Sequence, residues 1–155
     1  MEIRLAEIRD IPGMIELLKQ VGDVHHDIRP DIFRPGCQKY NEEQLAELLT
    51  DKTRPIFVAA EGNFVAGYCF CQYRAYQDST AMTDRKEIYI DDLCVHETCR
   101  GQGIAKILYS HVLAYAKTQG CGFVTLNVWC GNSAQIFYEK MGMTPRSITM
   151  ETKLC

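Results

Sequence analysis

The stretch Arg100-Gly101-Gln102-Gly103-Ile104-Ala105 decides how this chain is read, because an apolar strand leads into it and an amphipathic helix leads out. Upstream, Glu87-Ile88-Tyr89-Ile90-Asp91-Asp92-Leu93-Cys94-Val95 has strand composition. Downstream, Ile107, Leu108, Val112 and Tyr115 recur at helical spacing. A glycine turn that opens a helix presents unpaired N–H groups at the positive end of the dipole, and Gly101 and Gly103 let that backbone come close to an anion. Arg100 adds a fixed positive charge beside the nest. The stretch lacks the Gly-Lys-Ser/Thr ending of a nucleotide P-loop, and Lys106 stands where a dinucleotide fingerprint has its third glycine. No acid lies between Thr98 and Tyr138, so a ribose-binding carboxylate is missing as well. The segment instead suits a polyanionic ligand.

Working outward, 155 residues with 46% hydrophobic content fit one domain, 1–155, with a substantial core. A net charge of −3 with no basic run gives no footprint for nucleic acid. No apolar run approaches a membrane span, and Met1-Glu2-Ile3-Arg4 lacks the pattern of a signal peptide, so a cytoplasmic protein is expected. The eight cysteines contain no Cys-x-x-Cys pair. Cys69, Cys71, Cys94 and Cys121, in or beside expected strands, read as small buried hydrophobes in a reducing compartment, with no metal site expected.

In chain order, residues 3–8 alternate as a strand, and Asp10 is expected to cap a helix carrying Met14, Ile15, Leu18 and Val21. His25 and His26, followed by Pro30, Phe33, Pro35 and Gly36, are expected in an irregular loop that overhangs a substrate pocket. Asn41 and Gln44 form a capping box for a second helix. Residues 56–60 and 64–73 make a hairpin through Gly62-Asn63. After the strand from Glu87 and the helix from Ile104, Gly120 ends the helix and residues 123–129 read as the next strand. Asn132 caps a last helix with Gly142 past its end, and residues 147–154 alternate as a final strand that can pair with a second copy in a homodimer. The expected architecture is α/β (α+β), a mixed sheet of about six strands flanked by about four helices.

Together, Ile90-Asp91-Asp92-Leu93-Cys94-Val95, Arg100-Gly101-Gln102-Gly103-Ile104-Ala105, Asn132 and Phe137-Tyr138-Glu139-Lys140-Met141-Gly142-Met143 resemble the GNAT superfamily of acyl-CoA-dependent N-acetyltransferases. The resemblance implies a splayed central sheet holding acetyl-CoA. It implies pantetheine contacts from the backbone of Leu93, Cys94 and Val95, and a pyrophosphate on Arg100, Gly101, Gln102, Gly103, Ile104, Ala105 and Lys106. The loop before the last helix is one residue short of the family pattern, so a cofactor contact from Asn132 is less secure than one from Arg100.

Acetyl transfer to an amine needs a base, a polarised carbonyl and help for the leaving thiolate. Asp91 and Asp92 are the foremost base candidates, with Glu87 third; in a regular strand the adjacent pair would face opposite sides, and only a bulge would bring both to one pocket. The backbone N–H of Leu93 can polarise the carbonyl. By resemblance Tyr138 assists the leaving group. The two acids also look like the arrangement in polyamine N-acetyltransferases, which implies a small cationic amine as substrate. Peptide amines, or a non-catalytic acyl-CoA-binding role, are the alternatives.

Overall fold

The computed structural model describes residues 1–155 as one mixed five-stranded sheet with helices on both faces. Strands β1 (Glu2–Leu5), β2 (Ile56–Glu61), β3 (Phe64–Tyr76), β4 (Arg85–Val95) and β5 (Phe123–Leu126) lie side by side in chain order. Successive pairs are antiparallel up to β4, which meets β5 in parallel. Helix α3 (Ile104–Thr118) makes the crossover between the parallel strands.

Strand β2 shows why the sheet is buried on both sides. Ile56, Val58 and Ala60 join Met14, Leu17, Leu18 and Leu45 in a core beneath α1 (Ile11–Ile28) and α2 (Glu42–Leu48). The alternating Phe57 and Ala59 face α3, where Ile104, Leu108, Tyr109 and Val112 fill a second core. Two covered faces turn strand periodicity into a continuous apolar run. Helix α4 (Ala134–Lys140) returns toward this second core through Phe137.

The pairing of β4 with β5 extends only from Glu87↔Phe123 to Ile90↔Leu126, whereas β4 continues to Val95 alongside β3. Beyond Ile90 the two parallel strands therefore part. The glycine turn and α3 begin at the open end of this splay.

The hairpin at Gly62-Asn63, the Asn41/Gln44 capping box and the helix end at Gly120 agree with the sequence reading. Four expectations do not hold. Helix α1 runs through His25 and His26 to Ile28, because no proline interrupts it before Pro30 and because Gly22 lets the following loop lie against the helix. A Cβ at Gly22 would come within 1.9 Å of the Cys37 carbonyl oxygen. Asp10 precedes α1 but does not cap it with its side chain; it takes two hydrogen bonds from the Arg4 guanidinium, at 2.7 and 2.9 Å, and one from the Glu7 amide. Strand β5 stops at Leu126 where it leaves β4, short of Trp129. The sheet has five strands and not six: residues 147–154 form no ladder, and Ile148, Met150 and Leu154 stand 80%, 84% and 91% exposed. Alternation makes a strand only where another edge takes up its hydrogen bonds, and neither open edge of this sheet, β1 or β5, pairs with the segment.

Candidate active site

The site grows from a bulge in β4. Its register with β3 steps from Phe70↔Asp92 to Cys71↔Ile90, so Asp91 is an extra residue in the strand. The bulge breaks the alternation that would have sent the two acids to opposite faces, and both turn toward the side covered by α1 and α2. Asp91 accepts hydrogen bonds from Lys39 Nζ at 2.7 Å and from the Tyr40 hydroxyl at 3.2 Å. Asp92 accepts one from the buried Tyr68 hydroxyl at 2.5 Å.

Burial pushes the Asp92 carboxyl up to about 6, against the downward pull of the Tyr68 hydrogen bond, the Lys39 charge and the Leu93 amide. Asp91 adds to the upward push. A carboxylate in this range is a poised base at neutral pH. Its neighbour Cys94 is pushed up to about 12, first by burial and then by Asp92, so it stays a protonated thiol and offers no nucleophile. Glu87 sits apart from this group. It is buried where β4 and β5 are still paired, and its carboxylate accepts hydrogen bonds from Thr125 at 3.2 Å and Arg146 at 3.1 Å.

Tyr138 on α4 is 8% exposed, and burial raises its phenol above the ordinary value, with Cys69, Asp92, Tyr109 and Cys94 adding to the effect. It therefore stays protonated. Its hydroxyl is not among the sealed unpartnered atoms, and no protein hydrogen bond fixes it, which leaves it free to donate to a ligand. The neighbouring loop is tied inward, since the Asn132 side chain accepts from the Ala134 amide at 2.9 Å.

At the head of α3, Gly101 and Gly103 both have φ of +77°, the left-handed region open to glycine. Arg100, Gln102 and Lys106 are exposed, Ala105 is half-buried and Ile104 anchors the turn in the core. The first amide in this region to find a backbone acceptor is that of Ile107, bonded to the Gly103 carbonyl. The amides from residue 100 to 106 are left without protein acceptors, a row of donors suited to phosphate oxygens.

The acceptor side is walled by aromatic rings. His25 stacks on Phe33 at 4.8 Å, and Phe33 meets Trp129 edge-on at 5.3 Å. His26 Nδ1 lies 2.8 Å from the Phe33 carbonyl oxygen, which fixes the loop after α1. Burial lowers the His25 imidazole, and the Lys39 charge lowers it further. The structure thus gathers Asp91, Asp92, Leu93, Cys94 and Tyr138 about the splay, with the amide nest at its open end and His25 and Phe33 toward Lys39. Sequence reading missed Tyr68, Lys39, Tyr40 and Trp129. The hairpin register could have set Tyr68 beside β4, but nothing in an irregular loop marked Lys39 or Tyr40. No group of three or more His, Cys, Asp or Glu is placed to hold a metal ion.

A family model described as the acetyltransferase (GNAT) family matches residues 21–143. The chain belongs to the GNAT acetyltransferase family. As a member it is an acyltransferase of a family that uses acetyl-CoA. It is similar to glucosamine 6-phosphate N-acetyltransferase of Arabidopsis thaliana, with 34% identity over 156 residues covering 96% of this chain and 93% of the relative. Among solved structures, a variant of the BH1408 protein of Bacillus halodurans has a TM-score of 0.95 and 29% identity, with 100% of each chain covered. An aminoglycoside N-acetyltransferase in complex with CoA shares the fold, with a TM-score of 0.70, 17% identity and 99% and 100% coverage.

Proposed function

We propose that this acetyltransferase moves an acetyl group from acetyl-CoA directly to a primary amine of a small cationic molecule. The observation that carries the proposal is the juxtaposition of the poised Asp92, the unbonded Tyr138 hydroxyl and the splay whose open end bears the amide nest. The residues fit acetyl-CoA: the free amides from 100 to 106 with Arg100 and Lys106 suit its pyrophosphate, and the β5-facing side of β4 at Leu93, Cys94 and Val95, where β5 has parted from it, suits its pantetheine arm. When bound, acetyl-CoA supplies an electrophilic thioester carbonyl.

The chain's own groups supply the rest. A lysine-like ammonium costs on the order of 4–5 kcal/mol to neutralise at pH 7, and Asp92 can hold that ammonium before accepting its proton. Asp91 adds a second negative charge at the acceptor end, which favours a cationic substrate. The Leu93 amide is directed at the Asp92 carboxyl, and it can serve a developing oxyanion once Asp92 has taken up the substrate proton. Tyr138, held protonated by burial, donates a hydrogen bond to the departing sulfur without giving up its proton. With Cys94 held as a neutral thiol, attack within a ternary complex is favoured over an acyl-cysteine route.

The 34% identity to a glucosamine 6-phosphate N-acetyltransferase favours an amino sugar phosphate as the second reading. Competition among spermidine, glucosamine 6-phosphate and an N-terminal peptide separates the readings, with products identified by mass spectrometry. The highest kcat/KM is expected for spermidine, and preference for the sugar phosphate would replace that substrate class. We also propose a homodimer in a reducing, cytoplasmic setting. Eight unbridged cysteines support the compartment; the exposed alternating segment 147–154 and a β5 with no outer neighbour support pairing with a second copy.

A further inference from the structure

The loop between α1 and α2 returns to the site through Lys39. Its ammonium, on a half-exposed side chain, pairs with Asp91 at 2.7 Å and lies 5.6 Å from the centroid of the adjacent Tyr40 ring. Tyr40 is itself held in place, stacked on Phe70 at 5.7 Å and hydrogen-bonded to the same Asp91 oxygen. Asp92 acts electrostatically on Lys39, and Lys39 acts in turn on His25 in the aromatic wall. A primary ammonium therefore sits at the bulge, held by a carboxylate and an aromatic face. These are the groups that would recognise a cationic acceptor.

We infer that Lys39 is an internal occupant of the acceptor subsite: its ammonium holds Asp91 until an amine substrate displaces it, and the enzyme acetylates Lys39 Nζ when no amine is present. This rests on the acetyltransferase reading above. In the step, the Lys39 ammonium gives one proton to Asp92 and the freed Nζ lone pair forms the new N–C bond. The C–S bond of the acyl thioester breaks, the sulfur leaves as a thiol carrying the second proton, and Asp92 returns its proton to water. The product at Lys39 is a neutral amide. Acetylation thus removes the positive charge facing Asp91, while the longer side chain remains in the mouth of the site. The other lysines lack this arrangement, because Lys39 alone pairs with either acid of the bulge.

The test uses the full chain incubated with acetyl-CoA, with and without spermidine, and maps acetyl groups by peptide mass spectrometry. Lys39 is expected to be modified at least tenfold faster than Lys19, Lys52 or Lys106. Asp92→Asn should abolish that selectivity, and spermidine should slow the modification. A second readout needs no acetyl-CoA: Lys39→Met should bind spermidine about two- to fivefold more tightly by calorimetry, the scale of one exposed competing ion pair. Lys39→Arg, which keeps the charge, should bind as the wild type does. Acetylation spread evenly over the lysines, or equal or absent spermidine binding in wild type and Lys39→Met, overturns the inference. Amine-dependent CoA release in the same preparation tells the two failures apart: if it is present while Lys39 stays unmodified, only this inference falls; if it is absent too, the acetyltransferase reading falls with it.

Discussion

Replacing Asp92 with asparagine should remove activity and at the same time stabilise the fold. The Asp92 carboxyl titrates near 6 in the folded protein against 3.8 for a free side chain, a difference of roughly 2 pH units, or about 3 kcal/mol at 1.36 kcal/mol per unit. The sign follows from proton binding. Between the two values the folded state holds more protons than the unfolded chain, so this contribution to stability is present below 3.8 and is lost as pH rises through about 6. Above that range the wild type carries a desolvated charge in the folded state that asparagine does not. Asparagine keeps an oxygen to accept the Tyr68 hydroxyl, although that bond is weaker without the charge, by about 1 kcal/mol. The expected net gain is about 1–3 kcal/mol near pH 8 and close to zero near pH 4. Urea unfolding of wild type and Asp92→Asn at both conditions measures it, and because the comparison is a difference, carboxylates common to both proteins cancel. A variant no more stable than wild type near pH 8, or a difference that does not change with pH, would refute the reasoning.

For Tyr138→Phe, turnover should fall at least tenfold while acetyl-CoA affinity by calorimetry stays within about twofold, because a hydrogen bond used only as the sulfur departs does little for binding. Gly103→Val should weaken acetyl-CoA binding more than about tenfold; the left-handed φ strains any side chain there, yet the added Cβ meets no protein atom within 4 Å, so melting should shift by only a few degrees. Met150→Glu, on a segment 84% exposed in the single chain, should shift sedimentation from dimer to monomer, and a variant that sediments like the wild type would argue against pairing through residues 147–154. For the amine, kcat/KM should show an acid limb with an apparent value near 6, where Asp92 of the free enzyme loses its proton.

Much of the frame was legible because each signal was local. Two glycines between a strand and an amphipathic helix are enough to specify a helix start with free amides, and Phe137-Tyr138 followed by Gly142 marks a helix and its end. The site's inner geometry was less legible because it depends on register. A bulge at Asp91 exists only relative to Phe70 and Cys71 on the neighbouring strand, and no periodicity within β4 reveals it. The partners of the two acids, Lys39 and Tyr68, lie about 50 and 24 residues away and are brought in by a loop and by pairing. Residues 147–154 misled in the opposite way, since their alternation is that of a strand while no strand of this chain pairs with them.

Transfer of acetyl to an amine is the step on which every role assigned to these groups depends. Release of CoA from acetyl-CoA, followed by thiol detection while a panel of polyamines, aminoglycosides, amino acids and N-terminal peptides is added, tests it most directly. The expected result is sustained release that depends on a small cationic primary amine and is lost in Asp92→Asn. Release that no amine stimulates beyond the rate with acetyl-CoA alone would contradict it.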